Sequence, residues 1–166
     1  MQGSRSKSRI LLVFGAPCSG KTTFGEKFAK KFGLAFYDLK EIKEKNNFSH
    51  DAILVILKEI MKTRQTIVIE GELETEKKRN EIRKLSRNNG YIPSLIWIQT
   101  DVSTIKSRLK TRYKDVSLAK DVYDKAVNTI EAPTELERPI ILSGKHTFDT
   151  QTKHVVTGLA ELIDTK

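Results

Sequence analysis

Short, unbroken apolar runs alternate along this chain with longer stretches whose apolar residues recur every three or four positions. The short runs are residues 10–14, 34–37, 66–70, 94–99 and 139–142. Their apolar residues are not interleaved with polar ones, the pattern of strands covered on both faces. The periodic stretches predict helices. One starts at Lys21 and carries Phe24, Phe28 and Phe32 on one stripe, with Gly33 as its C′ residue. Another covers residues 51–62 with Ile53, Ile56, Leu57 and Ile60 inward, and a highly charged one covers 76–87 and closes at Asn89-Gly90. Asp101 can N-cap a fourth, with Val102, Ile105 and Leu109 toward the core. Ser117 opens a fifth with Leu118, Val122, Ala126 and Ile130, stopped by Ala132-Pro133. The last covers 152–163, with Val155, Val156, Leu159, Leu162 and Ile163 at helical spacing. Strands alternating with helices predict an α/β fold in three layers around a parallel sheet of five strands. In such sheets ligands sit at the carboxyl ends of the strands, which directs attention to the turns after Phe14, Tyr37, Glu70 and Gln99.

The first of those turns carries a specific motif. Gly15, Ala16, Pro17, Cys18, Ser19, Gly20, Lys21 and Thr22 satisfy G-x-x-x-x-G-K-[ST] between a strand and a helix, with Thr23 completing the loop. Glycines let successive backbone N–H groups turn toward phosphate oxygens, and the following helix adds the positive end of its dipole. Lys21 supplies a mobile positive charge for the β- and γ-phosphates, and the Thr22 hydroxyl is short enough to ligate Mg²⁺. Binding of a nucleoside triphosphate, ATP, is the expected consequence. Cys18 sits within the loop as a small filler side chain.

Composition narrows the setting. The chain of 166 residues is long enough for one domain with a substantial core, and 38% hydrophobic with 31% charged residues is ordinary for a globular protein. A single cysteine excludes an internal disulfide, and no apolar run approaches the length that spans a bilayer. With no apolar stretch of signal-peptide length behind the first residues, a cytoplasmic protein without membrane contact is expected, its residues 1–9 forming a flexible basic tail ahead of a domain over 10–166. Basic residues outnumber acidic ones 30 to 21, a net charge of +9 that favours anionic partners.

Further candidates follow from position. The third run ends on Glu70, beside the phosphate loop in such a fold, where a carboxylate can hold Mg²⁺; the alternative is a solvated acidic turn shared with Glu72 and Glu74. Arg108 and Arg112 stand four apart on one helix and can reach over the γ-phosphate, or remain ordinary solvated charges. Residues 112–120 hold little apolar content until Leu118 and predict a mobile lid. Arg79 and Arg83 share a stripe on the charged helix, able to fork onto a phosphate or carboxylate of a substrate, or else to pair with Glu76 or Glu81.

GAPCSGKTT, the acid-ended third run, R-L-K-T-R at 108–112 and I-E-A-P-T-E-L-E at 130–137 resemble the small P-loop kinases of the gluconate, shikimate and polynucleotide kinase type. The resemblance covers the chain from Ile10 onward, and it implies a P-loop NTPase fold with a five-stranded parallel sheet, an arginine-bearing helical lid, and backbone near Gly144 lining the adenine. It also implies an aspartate after the second strand as catalytic base or substrate-orienting group. Asp38 holds that place, but Lys40 stands where a second aspartate is usual. Asp38 can equally N-cap the segment that follows, and Lys40 can contact an anionic substrate.

Two functions are consistent with these residues. The first is ATP-dependent transfer of a γ-phosphate to a hydroxyl of a small metabolite, nucleoside, nucleotide or nucleic-acid 5′ end. The second is a nucleotide-binding ATPase or switch with no acceptor other than water. The N-K-x-D motif of Ras-type GTPases is absent, and no aromatic-interleaved basic motif of an RNA binder occurs. These absences favour the kinase.

Overall fold

β1 (Arg9–Gly15), β2 (Ala35–Asp38), β3 (Ile67–Glu70), β4 (Ile92–Gln99) and β5 (Ile140–Ser143) form one sheet in the order β2-β3-β1-β4-β5. All four pairings are parallel. The computed structural model describes residues 7–164, with side chains through residue 162. Most of the expected basic tail, and Ile163 as a core residue, therefore lie outside the described side chains.

Seven α-helices accompany the sheet among the described residues: α1 (Lys21–Phe32), α2 (Leu39–Asn46), α3 (His50–Met61), α4 (Glu76–Asn88), α5 (Val102–Arg112), α6 (Val116–Thr129) and α7 (Phe148–Asp164). A single 3₁₀ turn, Glu135–Glu137, precedes β5. Alternate β1 residues feed two cores. Ile10, Leu12 and Phe14 join a cluster with Ile53 and Leu57 of α3 and Ile82 of α4. Leu11 and Val13 join one with Phe24 and Phe28 of α1 and Val155 of α7. Burying both faces is what makes the runs continuously apolar, and each fully buried Leu or Ile contributes roughly 1.5–3 kcal/mol. No helix among the described residues is long and apolar enough to cross a membrane.

Local chemistry explains most boundaries and several departures from the sequence pattern. β4 starts two residues earlier than its apolar run suggests, despite Pro93. Ile92 N–H donates to Ser8 O at 2.9 Å on the β1 side, and β5 pairs only from Ile96 onward, so the N–H that Pro93 lacks would face an unpaired edge. α3 begins at His50 because the Ser49 hydroxyl accepts from Ala52 N–H. α6 is capped by Asp115, not Ser117, and only Tyr113, Lys114 and Asp115 separate it from α5. The expected mobile segment is therefore mostly helix, and the lid is an α5–α6 hairpin. Its faces also differ from expectation. Val102 and Leu118 are exposed, whereas Ile105, Leu109 and Ala119 are buried together. Val156 and the terminal Phe32 are likewise exposed.

Strand β1 lies between β3 and β4, and the chain leaves it toward β2 on one side before returning to β4 on the other. The crevice at its carboxyl end is the switch point where ligands of open α/β sheets bind.

Candidate phosphate-binding site

The loop after β1 closes on itself before α1 begins. Ser19 N–H donates to Ala16 O at 3.1 Å, and Cys18 and Gly20 take positive φ of 58° and 102°. Alternation of this kind turns neighbouring N–H groups into one concavity, an anion-binding nest on the positive end of α1. A Cβ at Gly15 would come within 2.5 Å of Ile98 O and 2.7 Å of Ser19 Oγ, so only glycine lets the loop root seat against β4. Cys18 and Ala16 pack against the buried Ile105, Leu109 and Ala119 of α5 and α6.

Lys21 folds back, its Nζ donating to Ala16 O at 3.4 Å. Burial draws the Lys21 ammonium below its usual pKa, Glu70 acts the other way, and the nearby Lys40 adds to the depression. The Thr22 hydroxyl donates to Glu70 Oε1 at 2.8 Å, bringing together the two residues expected to share a metal. Glu70 is buried, and its Oε2 has no partner among the described residues. Burial pushes the Glu70 carboxyl up, opposed by the Thr22 hydrogen bond and by Lys21, while the Asp38 carboxylate pushes the same way as burial. Asp38 and Glu70 are register partners on β2 and β3.

Asp38 performs the capping role that the sequence left open: its Oδ1 accepts from Glu41 N–H at 2.9 Å. Gly71 follows Glu70 with φ 81°. A Cβ there would fall 2.5 Å from Lys40 N, so the turn clears the first turn of α2 only with glycine. Lys40 itself is exposed, with Nζ 3.8 Å from Glu44.

Arg108 sits over the loop but not in it. Its Nη1 donates to Cys18 O at 3.0 Å and its Nη2 to Gly144 O at 3.3 Å, so it joins the lid, the phosphate loop and the turn after β5. Gly144 N–H donates to Gln99 O at 2.7 Å, and Thr100 Oγ1 donates to Ser19 O at 3.0 Å. Arg112 is exposed and lies 5.9 Å from the Tyr113 ring centroid. A cavity of about 540 Å³ opens beside the loop, lined by Ala16, Trp97, Thr100, Ile130 and Ile141 among others.

The substrate-contact expectation for Arg79 does not survive its placement. Arg79 is fully buried and forks onto Glu137 at 2.8 and 3.0 Å, so it has no face to offer a ligand. Arg83 is half-buried, donates to Asn80 Oδ1 at 3.2 Å and lies 3.9 Å from the same Glu137 carboxylate. The partners suggested by helical spacing, Glu76 and Glu81, are not the ones used. Lys43, Lys78 and His50 instead converge on the buried Glu72 at 3.0, 3.4 and 2.8 Å. Burial alone would raise the Glu72 carboxyl, but the hydrogen bonds from His50 and Lys43 hold it below its usual value. Thr100 and Glu137 were not singled out from sequence, and Glu72, named there only as part of a solvated acidic turn, is buried. Only Thr100 had a usable signal, its place directly after a strand end.

Comparison with known proteins adds the fold. No family model matches the sequence, and no curated protein matches it. Solved structures do. A gluconokinase from Sinorhizobium meliloti 1021 superposes with a TM-score of 0.71 at 18% identity, covering 95% of this chain and 94% of that one. The shikimate kinase from Aquifex aeolicus gives 0.57 at 16%, covering 95% and 99%. The Mycobacterium tuberculosis APS kinase CysC, in complex with AMPPNP and APS, gives 0.64 at 15%, covering 94% and 99%. At such identities the likeness speaks for architecture alone, and it shows that this chain has the α/β fold of the P-loop kinases.

Proposed function

We propose that the chain is an ATP-dependent phosphotransferase that moves the γ-phosphate to a hydroxyl of a small metabolite, a nucleoside or nucleotide, or a nucleic-acid 5′ end. One observation carries this reading. The Thr22 hydroxyl and the Glu70 carboxylate, from α1 and β3, meet at 2.8 Å next to Lys21, and Glu70 keeps one buried oxygen without a partner among the described residues.

That pair fits Mg²⁺. The ion takes hard oxygen ligands, and in nucleotide sites it is held by one or two protein groups with phosphates and water supplying the rest. Thr22 and Glu70 would hold the ion, which when bound neutralises charge on the β- and γ-phosphates.

The chain's own residues do the rest. Backbone N–H groups of Gly15, Ala16, Pro17's neighbours Cys18 and Ser19, and Gly20 through Thr23 cradle the phosphates, while Lys21 holds their charge. Gly144 lines the base with backbone. Asp38 keeps Oδ1 on Glu41 N–H and offers its other oxygen to orient, or take the proton from, an acceptor hydroxyl. Arg108 releases its two carbonyl partners to meet the phosphates, and Arg112 approaches from the same helix. Lys40 and the half-buried Arg83 are the cations left to an anionic acceptor.

A second reading, ATP hydrolysis driving a conformational output, is favoured by one observation. Lys43, Lys78 and Arg79 on the acceptor side are already paired with Glu72, Glu74 and Glu137. A phosphotransfer screen over sugars, sugar acids, nucleosides, nucleotides and 5′-OH oligonucleotides with γ-labelled ATP separates the two. Label on an acceptor supports the kinase, and label only in free phosphate supports the ATPase.

A further inference from the structure

Arg79 makes more bonds than any surface role would need. Its Nε and Nη2 fork onto Glu137, Nη1 donates to the carbonyl oxygens of Leu73, Glu74 and Glu131 at 3.1, 3.3 and 3.0 Å, and Nη2 also reaches Ala132 O at 3.5 Å. Its guanidinium carbon lies 4.8 Å from the Phe14 ring centroid. Phe14 stands directly before Gly15 of the phosphate loop and stacks on Trp97 at 6.1 Å. Three separate parts of the chain therefore converge on one side chain: the turn after Glu70, the root of the phosphate loop, and residues 131–137, which lead out of the lid.

Other bonds fasten the same junction. Glu131 N–H donates to Glu74 O at 2.9 Å, Glu76 N–H donates to Glu131 Oε2 at 2.6 Å, and Thr134 N–H donates to Glu137 Oε2 at 2.9 Å. The α5–α6 hairpin is thus held from the second half of α5 by Arg108 and at its exit by Arg79. Only arginine can serve at the second point, because a planar fork must meet a carboxylate and several carbonyls at once.

We propose that Arg79 is a positioning residue: by fixing the exit of the α5–α6 hairpin against Phe14 and the turn after Glu70, it sets how the hairpin seats over bound nucleotide while touching neither nucleotide nor acceptor. The last part rests on the phosphotransferase reading; the mechanical part does not.

The test exploits the chemistry of buried ion pairs. Removing one partner strands a charge, but replacing both with apolar residues of similar volume is often neutral for stability. Arg79→Met/Glu137→Met is compared with the parent and with Lys84→Ala, an exposed change on the same helix. Thermal unfolding, amide hydrogen exchange over residues 113–137, and ATP affinity from the emission of Trp97, the sole tryptophan, are measured. The expected result is an unfolding midpoint like the parent's, faster exchange over that segment, and ATP binding weakened about tenfold or more; Lys84→Ala matches the parent. Parent-like exchange in the double variant overturns the proposal, and so does parent-like affinity. A parent protein that fails to bind ATP sinks the phosphotransferase reading instead, and exchange alone then decides whether Arg79 fixes the hairpin. Should the double variant not fold, Arg79→Lys keeps the charge on Glu137 but loses the fork, and the same readings apply to it.

Discussion

Gly71 is where the turn after Glu70 meets α2, and replacing it with alanine has a cost that can be worked out in two parts. Its φ of 81° places an L side chain in the left-handed region, at about 1–2 kcal/mol. The new Cβ would also lie 2.5 Å from Lys40 N, 2.8 Å from Lys40 Cβ and 3.2 Å from Lys40 Cα. Two of those atoms belong to backbone in the first turn of a helix, so relief requires moving α2 or the Glu70 turn, an overpacking cost of about 1–3 kcal/mol. The sum is about 2–5 kcal/mol, or roughly 4–20 °C of unfolding midpoint for a chain of this size. Gly33→Ala is the matched control, with φ 64° and nothing within 4 Å of its Cβ, and should cost only the backbone part. Calorimetry on both variants, with Mg²⁺ titrations of nucleotide binding, separates the contributions. Gly71→Ala should lose the larger midpoint and need more Mg²⁺, because the same shift carries Glu70 away from Thr22. Equal midpoints for the two variants, with unchanged Mg²⁺ dependence, would refute the close approach at Gly71.

Arg79→Met alone should be far worse than the paired replacement, costing about 3–5 kcal/mol because it strands the Glu137 carboxylate in the interior; urea unfolding of the single and double variants gives the difference. Burial opposes ionisation of Glu137, but hydrogen bonds from Arg79 and Thr134 hold its carboxyl below the ordinary 4.5. A depressed folded pKa means stability that is present above 4.5 and lost as pH falls through the folded value, so the parent's midpoint should drop below pH 4.5 more steeply than that of Arg79→Met/Glu137→Met. Glu70→Gln should leave the fold intact and raise the Mg²⁺ needed for half-maximal turnover, and unchanged Mg²⁺ dependence would remove Glu70 from the metal site.

The sheet and the phosphate loop were legible in the sequence because each rests on local pattern. Five buried strands need continuous apolar runs, and an anion nest needs glycines followed by Lys and Thr. The place of Glu70 beside the loop after β1 was legible too, since an acid ending an apolar run lands at the crevice whatever the details. Arg79 was misread because helical spacing reports only neighbours along one helix. Its true partner, Glu137, lies 58 positions away in the chain and arrives through tertiary packing alone. The helical lid was expected, but its cap and buried face were misplaced for a related reason: Asp115, not Ser117, caps α6, and the buried stripe centres on Ala119 instead of Leu118. Asp38 shows the remaining ambiguity in physical form, for the same carboxylate both caps α2 and faces Glu70 across the sheet.

The central claim is that Lys21, Thr22 and Glu70 serve phosphoryl transfer from ATP to a hydroxyl. Incubating the parent and Lys21→Ala with γ-labelled ATP, Mg²⁺ and the panel of hydroxyl acceptors tests it most directly. Acceptor-bound label is expected with the parent and none above background with Lys21→Ala. Label on no acceptor, or equal transfer by the two proteins, would contradict it.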